Sequence, residues 1–472
     1  MSPRAGLSLA AALLLALSVT AFRPVSTPGP FLRDFEAYWS AGAAWNARAD
    51  PYGRAVWDAE RGVPGVNGSR DELLPFVGPP ATVLGWSGLA RLPYGVAARV
   101  WLAILVLAAL ALVALAVRAA PASSARGALA PALLLAFAFG PLTSDLALGQ
   151  IALPAFAGAA FVALPATASA LGLWLRAAGT FAGLLQPNVA AGLVSQLGRP
   201  RVAGAILAGA AGAYVAGALV AGWGWPLDYA RILNAHASAE RFSAIQLTPA
   251  AIAFGAGASP ASVFAAGAIC AAGAIAAAAV LWRRVDDPFA RFASFSALVP
   301  FVATFVHEHD LVVAYAAAAW CGLRTRGAIR ALALFAALLA GVDWLGLAQR
   351  PDGIAQSALL AGALACAFVA LADRPQWRRT LSVAAACAAL FVFSAWLAAR
   401  HPAPVWPDTL GAFHAPPGAS ASAVWLAEQR LNGLLAVDPA WAFLRALSLT
   451  GSALLALAIY LHHRAERTPV SS

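Results

Sequence analysis

The chain has 472 residues, 61% of them apolar and 11% charged, with a mean hydropathy of +0.74. These values exclude a soluble globular domain and describe an all-α polytopic membrane protein. The formal charge of +10 comes entirely from arginine, since the chain contains no lysine. With so little total charge, the excess reads as loop arginines that set topology and touch anionic headgroups; no nucleic-acid partner is expected. Lysine is also excluded as nucleophile or Schiff base.

At about 20 residues per spanning helix, the length allows roughly 10–13 spans. Helices are the only spanning element compatible with apolar runs this long. The first run, Gly6 to Phe22 behind Arg4, is expected to be a retained helix that delivers residues 23–78 outside. A cleaved signal peptide ending at Val19-Thr20-Ala21 is the competing reading. Within 23–78, Phe35, Tyr38, Trp39, Gly42 and Trp45 fall at helical spacing, which predicts an amphipathic helix lying on the membrane. Asp34 stands at its start, where it can serve as the N-cap. A carboxylate pair, Asp34 and Glu36, at the foot of a membrane helix is expensive to place, so a catalytic role for Asp34 is the sharper reading.

A short apolar stretch opens at Phe76-Val77-Gly78-Pro79-Pro80, and further runs follow to about residue 461. Arginine pairs or triplets at Arg199/Arg201, Arg283/Arg284 and Arg324/Arg326/Arg330, with the tail after His462, are expected in the cytoplasm. Two Trp-bearing stretches, 223–247 and 400–441, join 23–78 as expected external loops. Nothing indicates an internal repeat or a soluble domain, so residues 1–472 read as one integral membrane domain. The four cysteines lie in apolar runs without metal-like spacing and read as packing residues.

Phe305-Val306-His307-Glu308-His309-Asp310-Leu311 interrupts another apolar run with ionisable residues, which defaults to a functional hypothesis. On a helix, His307 and Asp310 would share a face. The two histidines stand at i and i+2, not at the i and i+4 of the helical zinc signature, so no metal is expected. A substrate site and a plain helix-to-loop corner both remain open. Gly149-Gln150 and Gln186-Pro187-Asn188 are uncharged polar breaks, which can equally serve to satisfy freed backbone carbonyls. Ser144-Asp145 and Asp343-Trp344 read as helix-end pairs at the interface. No phosphate loop or dinucleotide fingerprint is present, so any transferred group should arrive through the membrane, without a soluble cofactor.

The order of these motifs resembles glycosyltransferase family 87 of the GT-C superfamily, the polyprenol-phosphate-dependent mannosyltransferase-like enzymes. Asp34, Phe35 and Tyr38 are followed by Asp50-Pro51-Tyr52, by Phe76 to Pro80, by Gly149-Gln150, by a break before Pro187, and by His307, Asp310 and Leu311. The resemblance implies an inverting hexosyltransferase, with mannose the expected sugar. Its donor would be a polyprenyl-phosphate sugar and its acceptor a lipid or glycan, with membrane lipids around it. It further implies a bacterial inner-membrane enzyme with an extracytoplasmic site. Asp34 would be the general base and His307 would lie near the donor phosphate. Glu36, Tyr38, Tyr52, Gln150, Gln186, Asn188, Glu308 and Asp310 would bind substrate. Many relatives carry Lys where this chain has Gln186, and an aromatic or Asn where it has Gly78, so Arg or His307 must supply the positive charge. A transporter or lipid flippase is the alternative, but transporters commonly show paired repeats, and none is seen.

Overall fold

The computed structural model describes residues 2–20, 30–66, 74–120, 125, 127–165, 169–344, 353–372, 376–401 and 419–467. Ala21 of the suggested cleavage site and parts of the loops 23–78 and 400–441 lie outside them. Among the described residues the chain is helical throughout. Five helices are long and apolar enough to cross a membrane: Tyr94–Arg118, Pro200–Ala221, Pro260–Arg284, Trp377–Arg400 and Pro439–Arg467. Pro3–Val19, Ala152–Ala163, Gly327–Gly341 and Ile354–Ala370 are shorter apolar helices.

Among the described residues, several further apolar runs form bent or shorter helices, and the reason is local. Prolines and glycines cut several runs into short helices that are buried in protein. Leu129–Ala138 and Gly140–Leu148 meet at a 68° bend. There Phe139 is extended, Pro141 follows at the helix start, and a side chain on Gly140 would lie 2.8 Å from the Gly341 carbonyl. Such broken backbone is tolerated at membrane depth only where protein or a cavity surrounds it.

The helix starts follow the sequence closely. Pro80, Pro200, Pro249, Pro260 and Pro288 open helices at the first turn, where a missing N–H costs nothing. Thr248, Ser259 and Asp287 cap three of them by accepting from backbone amides. Burial separates the spans into a centre and a rim. The C-terminal helix Pro439–Arg467 is 67% buried across its apolar window, against 11% for Pro260–Arg284 and for Trp377–Arg400. Gly451 lets the C-terminal helix approach the backbone of Gly327–Gly341 at Ala336 and Ala340, the close contact that small residues permit where lipid supplies no hydrophobic drive.

The predicted helix after Asp34 forms over Phe35–Asn46, but no residue from Phe35 to Trp45 is exposed. It is enclosed by protein instead of lying on lipid: Gly42 sits against the Trp86 carbonyl, and Phe35 stacks on Trp101 at 6.0 Å.

At one end of the molecule, arginines link consecutive turns. Arg4 donates to the Ala370 and Leu371 carbonyls, Arg324 to Ala119 with an ion pair to Asp287 at 3.2 Å, and Arg467 pairs with Asp286. The opposite end holds a large cavity.

Candidate functional site

Asp34 leads into the Phe35–Asn46 helix without capping it, for its carboxylate makes no bond to the helix amides. The side chain of Gln150 donates to it instead, and Tyr38 in turn donates to Gln150 Oε1 at 2.5 Å. Gly149 makes this possible. Its φ of +84° ends the Gly140–Leu148 helix, and a Cβ there would stand 2.8 Å from that of Leu32 and 3.0 Å from that of Phe35. A glycine is needed both for the left-handed turn and for the approach. Trp101 Nε1 donates to the Gly149 carbonyl at 2.7 Å, and the Asp34 amide to Leu148 at 2.9 Å.

Asp34, Tyr38, Leu148 and Gln150 form one wall of a cavity of about 1150 Å³. The second wall is the helix Trp225–Glu240. Its exposed side carries Leu227 and Arg231, while Tyr229, Leu233, His236 and Glu240 fall at spacings of four, three and four and line the cavity as one stripe. The third wall is the irregular segment 302–308 with the 3₁₀ turn His309–Ala314.

Two carboxylates, Asp310 of this third wall and Glu240 of the second, have separate tasks. Asp310 accepts from the His307 backbone amide at 2.9 Å, and Gln186 Nε2 and Asn188 Nδ2 both reach its other oxygen at 3.4 Å. His307 turns its ring the other way. Its Nε2 lies 3.3 Å from Glu240 Oε2, an oxygen that also accepts from Gln246 Nε2. The second oxygen of Glu240 accepts from Trp425 Nε1 at 2.6 Å and lies 3.4 Å from His236 Nε2. The helix on which His307 and Asp310 would share a face does not form: the segment is irregular and then 3₁₀, and the His307 ring lies against Glu240.

Charge then distinguishes the three histidines. Burial pulls the His307 imidazolium down, but adjacent Glu240, with Asp310 and Asp34 beyond, outweighs it and drives the ring well above the usual histidine value. Burial raises Glu240, yet adjacent His307, with the bond from Trp425, holds it well below the carboxylate range. Burial dominates at His236 and at His309, and both are pushed down. Of the three rings, Glu240 thus favours the charged form on His307, while burial favours the neutral form on His236 and His309.

Eight of the residues singled out from sequence line this cavity: Asp34, Tyr38, Gln150, Gln186, Asn188, His307, Glu308 and Asp310. Glu36 does not. Two residues along a helix is about 200° around its axis, so its carboxylate is buried away from the cavity, where it acts on Tyr94. Tyr52 is also outside; its hydroxyl donates to the Gly78 carbonyl at 2.7 Å and its ring packs on Phe76. Sequence reading missed Glu240, His236, Gln246 and Trp425 as site residues. The stripe from Tyr229 to Glu240 was the available signal. It also misplaced Asp145, which is fully buried with neither carboxylate oxygen hydrogen-bonded among the described residues, while Asp343 lines the cavity.

His307, His309 and Asp310 each bring one potential ligand atom within 4.8 Å of the others, close enough to gather a cation. Two of these groups are already engaged, His307 Nε2 with Glu240 and Asp310 Oδ2 with a backbone amide. The four cysteines are unpaired and take no part.

Residues 76–306 match the family model described as glycosyltransferase family 87. No curated protein and no solved structure matches the chain. The matched segment contains Gln150, Gln186, Asn188, His236 and Glu240, whereas Asp34, His307 and Asp310 lie beyond its two ends.

Proposed function

On the premise of a membrane glycosyltransferase of family 87, we propose that the chain transfers a hexose, mannose being the expected one, from a polyprenyl-phosphate sugar to a lipid or glycan acceptor. The observation that carries this reading is one cavity lined by the Asp34 carboxylate and by the His307 ring, which lies against Glu240. Asp34 takes the proton of the acceptor hydroxyl, whose oxygen attacks the anomeric carbon. The bond from that carbon to the phosphate oxygen breaks, and polyprenyl phosphate leaves with the electron pair. A single displacement of this kind inverts the anomeric centre. His307 donates to the departing phosphate through the ring nitrogen not turned to Glu240, a charge-assisted bond that strengthens as negative charge develops. Gln186 and Asn188, tied to Asp310, hold the neighbouring wall.

The segments that meet at the cavity support one reading of sidedness. Asp34, His236 with Glu240, and Trp425 come from the three stretches expected outside, while the arginine-linked turns lie at the other end. We therefore assign the cavity to the extracytoplasmic face of a bacterial inner membrane, where a lipid-borne donor is presented.

The test is a membrane assay that offers several polyprenyl-phosphate sugars and follows label into lipid or glycan. Transfer that needs the lipid phosphate and inverts the anomer is expected. Transfer from a soluble nucleotide sugar in the absence of any lipid phosphate would overturn the donor assignment.

A further inference from the structure

The C-terminal helix Pro439–Arg467 carries a fully buried arginine, Arg445, 1% exposed. An arginine inside an apolar span is costly and rarely idle. Among the described residues its guanidinium makes no hydrogen bond to a side chain. Nε donates to Trp441 in its own helix, Nη1 to the carbonyls of Ser243 at 3.1 Å and Gln246 at 2.8 Å, and Nη2 to that of Ala251 at 3.5 Å. Arg445 thereby gathers the main chain of 243–251 onto the last helix. Gly255 leaves room for it, since a Cβ there would collide with Nη2.

The clamped loop matters because of what Gln246 does. Its Oε1 accepts from the Val306 amide at 2.7 Å, which fixes the orientation of the side-chain amide. Its Nε2 donates to Glu240 Oε2 and stands 2.9 Å from His307 Nε2, so both nitrogens converge on one carboxylate oxygen. The main chain of Leu247 also donates to Val306 at 2.8 Å. Gln246 therefore joins the helix that bears Glu240 to the segment that bears His307, and Arg445 holds the carbonyl of Gln246 itself.

We propose that Arg445 is a positioning residue for the reaction. By clamping residues 243–251 it keeps Glu240 in register with His307, and so keeps the cation that receives the donor phosphate. This builds on the function proposed above. Arg445 does not line the cavity and touches no substrate; it acts through Gln246 and Glu240. It also lies well beyond the segment matched to family 87, so the last helix is part of the catalytic apparatus, not only of the scaffold.

The experiment is the pH dependence of kcat/KM for the polyprenyl-phosphate sugar in wild type, Glu240→Gln, Arg445→Gln, Arg445→Lys and Gly255→Ala, each as full-length protein in membranes. A loosened clamp lengthens the Glu240–His307 contact, so His307 loses its proton at lower pH. Arg445→Gln should then lose roughly tenfold or more at pH 8.5 and recover most of the loss at pH 6, the range over which an unsupported histidine titrates. Arg445→Lys should recover part of this, since a lysine ammonium offers donors without the fixed fork. Gly255→Ala, which displaces the guanidinium without removing it, should repeat the pattern if Arg445→Gln does not fold. A loss equal at all pH values, or no loss, in the variants that fold overturns the proposal. Should Glu240→Gln leave the alkaline limb in place, the His307 reading itself fails; should only Glu240→Gln move it, the clamp alone fails.

Discussion

Gln150 donates its side-chain amide to the Asp34 carboxylate across 116 residues of sequence. The bond fixes which carboxylate oxygen remains free for an acceptor hydroxyl. Asp34→Asn should insert and fold normally yet lose on the order of 10²–10⁴ in rate, the range of a removed general base. Gln150→Leu should lose less, about 10- to 100-fold, in line with a hydrogen bond to a charged group of roughly 1.5–3 kcal/mol. Both are read as initial rates in membranes carrying equal amounts of protein, and an Asp34→Asn enzyme of wild-type rate would remove the base assignment.

The His307–Glu240 pair predicts a signed pH effect. His307 is raised above the ordinary histidine value, so its cation persists through neutral pH and is lost only as pH rises through the raised value. Any stability that the cation contributes follows the same course, complete below the unfolded pKa and lost above the folded one. Glu240→Gln removes the main upward influence and leaves burial, which pushes His307 down. The alkaline limb of the rate profile should move toward lower pH in that variant. His307→Ala should raise the KM for the donor and leave acceptor affinity nearly unchanged, because the phosphate departs with the donor.

His307, His309 and Asp310 also allow a direct test for a cation. With His307 committed to Glu240, a strong chelator should leave transfer unchanged, and His309→Ala should cost little. Loss of activity with chelator, restored by a divalent metal, together with equal dependence on both histidines, would assign the three residues to a metal.

Sidedness can be read chemically on exposed positions. Arg231 and Glu466 are both exposed side chains at opposite ends of the molecule. In a background without the four native cysteines, a cysteine at position 231 should react with an impermeant thiol reagent in intact cells, and one at position 466 only after lysis. The reverse pattern would invert the orientation.

Gly149→Ala should be the most damaging single-methyl change at the site. A left-handed backbone costs a non-glycine residue about 1–2 kcal/mol before any clash, and here the added carbon also strikes Leu32 and Phe35. A lower thermal midpoint in detergent is expected, with a rate defect resembling that of Gln150→Leu.

The residues that sequence reading found and missed differ in a physical way. Asp34 stood out as half of a carboxylate pair at the foot of the first membrane helix, and the His307–Asp310 element because charge interrupts an apolar run, where it is costly. Glu240 and His236 sit on a helix with exposed Leu227 and Arg231 and flanking tryptophans, so their polarity looked like ordinary interfacial anchoring. Only the tertiary packing shows which stripe of that helix faces inward. Arg445 lies within an apolar run as a lone charge, and its partners are main-chain carbonyls, which leave no mark in sequence. The class of fold was legible from the length of the apolar runs. The number of full spans was not, because Gly140-Pro141 and Pro187 cut runs whose composition cannot tell burial in protein from burial in lipid.

The distribution of these groups along the chain bears on biosynthesis. Asp34 is synthesised with the first helices, long before Trp425 and Arg445. If the proposed clamp holds, a chain without its last helix carries the Asp34 carboxylate but lacks the support behind His307, and it should transfer no sugar.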